Sequence, residues 1–199
     1  MVATIIERLL IGSANLLVRD AAPRVEQTQQ SIYIANHASH LDALLVLAAL
    51  PPGVQRRTRP LAAADYWNAD PVRQYLIRSV LRGVLIDRNS GNLSPLEPAA
   101  SALRARDSLI LFPEGTRGPG GTLQPLKAGV FHLARAFPDV DIVPVWIENS
   151  HRVLPKGAAV PLPRRCRIRF GNPLRSPVAE SSEEFLARLR EALEGLRPA

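Results

Sequence analysis

Tyr33-Ile34-Ala35-Asn36-His37-Ala38-Ser39-His40-Leu41-Asp42 is an apolar run that passes through a short polar stretch into a second apolar segment over 41–50. The first part suits a strand and the last a helix, so the residues between them form a strand-to-helix turn, where active groups are commonly displayed. The alternation recurs along the chain. Apolar runs at 31–35, 59–63, 83–86, 108–112, 141–146 and 166–170 are candidate strands. Periodic stretches at 39–50, 71–81, 95–106, 128–137 and 182–196 are candidate helices. Strands alternating with helices predict an α/β fold, here a single domain over 1–199 with a mixed, largely parallel sheet flanked by helices.

Local start signals support these elements. Asp70 precedes Pro71 as an N-cap before proline at the first helical position, and Ser182 precedes Glu183 and Glu184 in a first turn. Two proline-rich stretches, Pro51-Pro52-Gly53 and 154–163, read as loops within the domain. Pro144, inside an apolar run, marks a bend or a strand end beside a site.

His37 and Asp42 are five residues apart, about 140° around a regular helix, so they meet only if His37 lies in the turn before the helix. Ser39 as N-cap, with Asp42 at the third helical position, permits that arrangement. A carboxylate beside an imidazole makes a general base, because it selects the tautomer and stabilises the imidazolium that forms. The alternative has Asp42 as a capping residue and His37 as a polar loop side chain. His40 is expected to point away.

The second chemical segment is Leu109-Ile110-Leu111-Phe112-Pro113-Glu114-Gly115-Thr116-Arg117-Gly118, an apolar strand ending in a tight turn with one acid and one arginine. Pro113 and Gly115 shape the bend, and the planar fork of Arg117 suits a phosphate or carboxylate. Glu114 and Arg117 pairing only with each other at the sheet edge is the plain structural alternative. A third strand ends in Asp87 and Arg88.

The formal net charge is +7, carried almost wholly by arginine, since Lys127 and Lys156 are the two lysines. Such a field favours phosphorylated substrates, anionic lipid or acidic carrier proteins. Aromatic residues are 5% of the chain, too few to supply a stacking platform for single-stranded nucleic acid, and no nucleic-acid partner is expected. The lone Cys166 excludes an intramolecular disulfide and multi-cysteine metal sites. His37, His40, His132 and His151 show no ligand grouping, so neither metal nor redox cofactor is expected. Over 1–20, apolar residues at 2, 5, 6, 9 and 10 define one face of an amphipathic helix, which either closes the protein's own core or lies on a bilayer surface. The segment is too short and too polar to span a membrane and lacks the features of a signal peptide.

Together these blocks resemble those of the glycerolipid acyltransferases, the group that includes bacterial 1-acyl-glycerol-3-phosphate acyltransferases. The first segment matches the family's H-x4-D block in its N-H-x-S-x-x-D form, and Phe112 to Arg117 reproduces F-P-E-G-T-R. Gly83 to Arg88 and Ile142 to Val145 look like its second and fourth blocks, and Lys127-Ala128-Gly129 resembles its K-x-G stretch. The resemblance implies that His37, oriented by Asp42, deprotonates an acceptor hydroxyl for direct attack on an acyl thioester. It further implies that Glu114, Gly115, Thr116, Arg117, Arg88 and Lys127 serve the acceptor. The implied donor is acyl-CoA or acyl carrier protein, and the implied acceptor a lysophospholipid such as 1-acyl-glycerol 3-phosphate. Backbone N–H groups near the first or third block are expected to hold the oxyanion. A cytoplasmic protein in peripheral contact with an anionic membrane follows from the same reading.

One departure bears on the acceptor. Where many family members carry lysine after the first helix, this chain reads Leu61-Ala62-Ala63-Ala64-Asp65-Tyr66-Trp67, which leaves the head group open. A thioester or lipid hydrolase is the second enzymatic reading, opposed by the lack of a G-x-S-x-G elbow. A non-catalytic anionic-lipid-binding module is the third, supported by the charge and opposed by the intact His-Asp pair.

Overall fold

The computed structural model describes residues 2–19, 30–87, 95–119, 122–153, 162, 164–175 and 179–198. Its strands are β1 (Val18–Arg19), β2 (Ser31–Ala35), β3 (Thr58–Ala63), β4 (Val84–Ile86), β5 (Ser108–Leu111), β6 (Asp141–Glu148) and β7 (Cys166–Phe170). The helices are α1 (Val2–Leu17), α2 (Asp42–Ala49), α3 (Pro52–Gln55), α4 (Ala64–Trp67), α5 (Pro71–Tyr75), α6 (Glu97–Arg104), α7 (Gly129–Ala136), α8 (Ser150–Val153) and α9 (Ser182–Glu194).

The strands form one sheet in the order β1-β7-β6-β2-β5-β3-β4, parallel throughout except for the antiparallel β6–β7 pair. Strand alternation divides the core in two. Tyr33, Ala35, Ile110, Val143 and Val145 project to one face and pack with Leu45, Val46 and Ala49 of α2 and Ala14 of α1. Ile32, Ile34, Leu109, Leu111 and Ile142 project to the other and pack with Leu103 of α6, Leu133 of α7 and Phe185, Leu189 and Leu193 of α9. Central strands apolar on both faces are the mark of a sheet buried between two helical layers.

The topology positions the site. β2 lies between β5 and β6, with Ile34 level with Leu111 and with Pro144. Because β2 and β5 run the same way, the residues after Ala35 and after Leu111 emerge side by side at the C-terminal edge, where open α/β sheets bind their ligands.

Several details differ from the sequence reading. α2 starts at Asp42 with Leu41 as N-cap, and the Ser39 hydroxyl accepts instead from the Leu41 N–H at 3.3 Å, so Ser39 does not cap the helix. Asp70 caps α5 as expected, accepting from Val72 and Arg73. The helix then widens into a π turn over Leu76–Val80 that buries Ile77 and Val80. The cap of α9 is Ser181, in a capping box with Glu184. Pro51-Pro52-Gly53 enters α3 rather than a loop, with proline in its first turn. Pro144 ends no strand. It sits inside β6 where pairing with the chain after β7 slips by one residue, between Val145↔Phe170 and Ile142↔Leu174, and Gly171 N–H donates to its carbonyl at 2.8 Å. A proline that cannot donate is tolerated at such a slip.

α1 packs on α2 and on the π turn, burying Ile11 and Ala14, with Glu7 paired to Arg82 at 3.0 Å. Val2, Ile5 and Leu9, from the face that sequence periodicity marks, are 62%, 52% and 65% exposed, and Leu16 is 83% exposed. These four fall within about 60° of arc and form an outward apolar stripe, while Ile6 and Leu10 at the edge of that face are half-buried. Among the described residues no helix is long and apolar enough to cross a membrane.

Candidate active site

His37 lies in the turn after β2, and its Nδ1 is 2.9 Å from Oδ2 of Asp42, the first residue of α2. Asp42 is fully buried, and the same Oδ2 accepts from Ala38 N–H at 2.7 Å and Ser39 N–H at 2.8 Å. One carboxylate oxygen therefore folds the whole turn and fixes the imidazole, at the positive end of α2. The ring of His37 stacks on Phe112 with centroids 4.2 Å apart, which holds its plane. With Nδ1–H given to Asp42, Nε2 carries the lone pair.

Glu114 departs from its expected part. Its side chain is 4% exposed, and the carboxylate accepts from His37 N–H at 2.6 Å and Gln124 N–H at 2.8 Å. Burial pushes its pKa up, opposed by those two donors. Glu114 thus ties the His37 turn to the loop after β5 rather than facing an acceptor. Gly118 N–H adds a bond to His37 O at 2.9 Å. The alternative, a Glu114–Arg117 pair, is not formed: Glu114 bonds the two backbone N–H groups and Arg117 bonds His40. Asn36, to which sequence gave no role, exchanges two buried bonds with Ile147, Nδ2 to O at 3.0 Å and N to Oδ1 at 2.7 Å. It extends the β2–β6 ladder one residue beyond the strand, and its one sequence signal is a polar amide directly after an apolar strand.

A cavity of about 930 Å³ opens in front of His37, within the range typical of small-molecule sites. Its polar end holds His37, His40, Thr116, Arg117 and Lys127, and its apolar walls include Leu61, Trp67, Ile77, Leu81, Leu96 and Val130. Ala62 and Ala63 line it where a longer side chain would intrude, and His132 of α7 also reaches it. Gly115, at φ +69°, closes the turn onto Phe112 O at 3.1 Å. A Cβ there would come within 2.7 Å of Lys127 Cε and Nζ, so the lysine crosses directly over it. His40 does not point away: it lines the cavity, bonds Arg117 and stacks on Tyr66 with centroids 5.5 Å apart. Arg88 lies outside the described residues, as does most of 154–163. The N–H groups of His37, Ala38, Ser39, Gly115 and Gly118 are all spent within the turns, so these particular amides are not the expected oxyanion donors. Among the described residues no cluster of His, Cys, Asp and Glu could hold a metal ion.

The family model described as "Acyltransferase" matches residues 19–148, which spans both turns and the sheet between them. The chain belongs to the acyltransferase family. Among curated members of that family, the 1-acyl-sn-glycerol-3-phosphate acyltransferase of Cocos nucifera is 30% identical over 74% of this chain and 46% of its own length. The mouse 1-acyl-sn-glycerol-3-phosphate acyltransferase alpha is 31% identical over 74% of this chain and 50% of its own. The Salmonella typhimurium enzyme of the same name is 33% identical over 63% and 49%. This acyltransferase-family chain thus spans about half the length of the curated relatives it matches. Its fold resembles the crystal structure of the 1-acyl-sn-glycerophosphate acyltransferase of Thermotoga maritima, with a TM-score of 0.72 and 22% identity over 96% of this chain and 79% of that one.

Proposed function

We propose that this chain moves a fatty acyl group from a thioester to the hydroxyl of a lysophospholipid, in the first instance 1-acyl-glycerol 3-phosphate, giving phosphatidate. The observation that carries this reading is the 2.9 Å His37–Asp42 contact facing a cavity whose polar end also holds Arg117 and Lys127. The names of the curated relatives support the acceptor.

His37 Nε2 takes the proton of the acceptor hydroxyl as its oxygen bonds the thioester carbonyl carbon, and Asp42 stabilises the imidazolium. The C–S bond then breaks, and the leaving thiolate takes the proton from His37 Nε2. No covalent acyl-enzyme is needed. Arg117 and Lys127 hold the acceptor phosphate as charge-assisted donors. The apolar walls of the cavity receive acyl chain. Acyl-CoA and acyl carrier protein are both acidic donors that suit a charge of +7.

The outward apolar stripe of α1 supports a peripheral contact with an anionic bilayer, to which the arginine-rich surface would add attraction for the head groups. Sedimentation with anionic vesicles tests that contact, and Leu9→Glu should weaken it while leaving thermal stability unchanged.

The reaction itself is tested by following free thiol from acyl-CoA or acyl carrier protein with and without 1-acyl-glycerol 3-phosphate, and identifying the lipid product. Acceptor-dependent thiol matched by phosphatidate is expected. Thiol released equally without acceptor would point to a hydrolase, and no release with either donor would count against the reading.

A further inference from the structure

The mechanism gives no task to His40, which lines the cavity. His40 stands at the polar end, beside the arginine that the acceptor phosphate needs. Arg117 Nη1 lies 2.5 Å from His40 Nε2, and His40 Nδ1 lies 3.3 Å from the Tyr66 hydroxyl. A guanidinium has donors and no acceptor, so Nε2 must offer its lone pair and the ring must be neutral. The proton then sits on Nδ1, while the Tyr66 hydroxyl lies beside both ring nitrogens, 3.4 Å from Nε2 as well. The tautomer is thus fixed by Arg117, and the ring is held by stacking on Tyr66, over which the guanidinium of Arg73 lies 4.6 Å from the centroid.

We propose that His40 is a positioning residue: as a neutral imidazole it accepts from Arg117 and anchors it to Tyr66, so that the guanidinium is set for the acceptor's phosphate. The inference rests on the proposed function and deepens it. It matters here because the cavity is also lined by Ala62 and Ala63, which bring no cation to the head group, so the placement of Arg117 bears more of the recognition.

The arrangement also makes binding sensitive to acid. Protonation puts an N–H on Nε2 against a guanidinium, replacing a hydrogen bond with like-charge contact. The groups around His40 are Arg117 from the loop after β5, Tyr66 and Asp65 of α4, Arg73 of α5, and His37 and Asp42 of its own segment. Burial and the three positive or proton-accepting neighbours Arg117, His37 and Arg73 lower its pKa, with Asp42 opposing. The ring is therefore neutral at neutral pH, and the contact opens on the acid side.

Three variants test this by steady-state kinetics with varied acceptor. Losing one charge-assisted bond predicts that His40→Ala raises the acceptor KM about tenfold near pH 8 and changes kcat less than about twofold. His40→Gln, whose amide oxygen can accept from Arg117 but does not titrate, should recover most of that loss and show a smaller rise in acceptor KM than wild type as pH falls below about 6.5, beyond the rise both share from protonation of the phosphate. In an Arg117→Ala background, His40→Ala should add nothing. A nitrogen NMR spectrum that shows the Nδ1–H tautomer for His40, and its loss in Arg117→Ala, reads the contact without turnover. An active wild type whose His40→Ala variant keeps its acceptor KM, or whose Gln variant is as impaired as the Ala variant, overturns the inference and leaves the proposed function standing. A wild type that releases no acceptor-dependent thiol overturns both.

Discussion

Replacing Glu114 by alanine separates two parts that its position in F-P-E-G-T-R leaves open. The structure commits the carboxylate to the N–H groups of His37 and Gln124, at 2.6 and 2.8 Å, from a side chain that is 4% exposed. Alanine orphans both donors, and each unsatisfied buried donor costs about 1–3 kcal/mol, so the loss is roughly 2–6 kcal/mol. For a chain of this size that lowers Tm by at least about 4 °C. The His37 turn is then free to shift, and a displacement near 1 Å at a reacting group can cost about 100-fold, so kcat falls by roughly 10–100-fold while the acceptor KM moves little. Glu114→Gln should lose less, because it keeps one acceptor and removes the buried charge whose burial raises the native pKa. Thermal unfolding by circular dichroism and acceptor titrations on the same preparations give both numbers. A Glu114→Ala protein with Tm within about 1 °C of wild type and only a raised acceptor KM would refute this reasoning and return Glu114 to the substrate.

Other outcomes follow from the same geometry. Asn36→Ala strands the N–H and C=O of Ile147, so a loss of about 2–4 kcal/mol is expected by chemical denaturation, and an unchanged midpoint would show that the bridge carries nothing. Gly115→Ala forces an L residue to φ +69° and drives a Cβ into Lys127. It should cost about 1–2 kcal/mol and weaken acceptor binding, whereas full activity would mean the lysine's path is irrelevant. His40 has a folded-state pKa below its unfolded value, so its contribution to stability is fully present above the unfolded pKa of about 6.5 and is lost as pH falls through the lower folded value. Wild type should therefore lose Tm relative to the non-titrating His40→Gln as pH drops from 7 towards 5, a trend that differential scanning calorimetry would show absent if the ring were freely solvated.

The layered α/β architecture was legible because buried parallel strands leave apolar runs that few other elements produce. The bounds of β2 and β7 coincide with expectation, and the remaining long strands differ by one or two residues. The two-residue β1 and the short α4 and α8 carry too little periodicity to announce themselves. The π turn at Leu76–Val80, which buries Ile77 and Val80, was invisible for another reason: its apolar spacing suits an ordinary helix. In the site, His37 and Asp42 were legible since their partnership is local in sequence. His40 was not, because its neighbours Tyr66 and Arg117 arrive from α4 and from the loop after β5. Glu114 misled because its partners are backbone N–H groups, which leave no mark on composition. The N-terminal face was ambiguous by nature, since periodicity shows that a helix has an apolar side but not whether protein or bilayer covers it.

The central claim is that His37, held by Asp42, is the base for acyl transfer to a hydroxyl. The most direct measurement is acceptor-dependent thiol release by His37→Ala and Asp42→Asn beside wild type, with folding checked by thermal unfolding. The account predicts a fall of about 10²–10⁴-fold in kcat for both, with acceptor KM within about threefold of wild type. A folded His37→Ala protein that forms acylated lipid at near wild-type rate would contradict it.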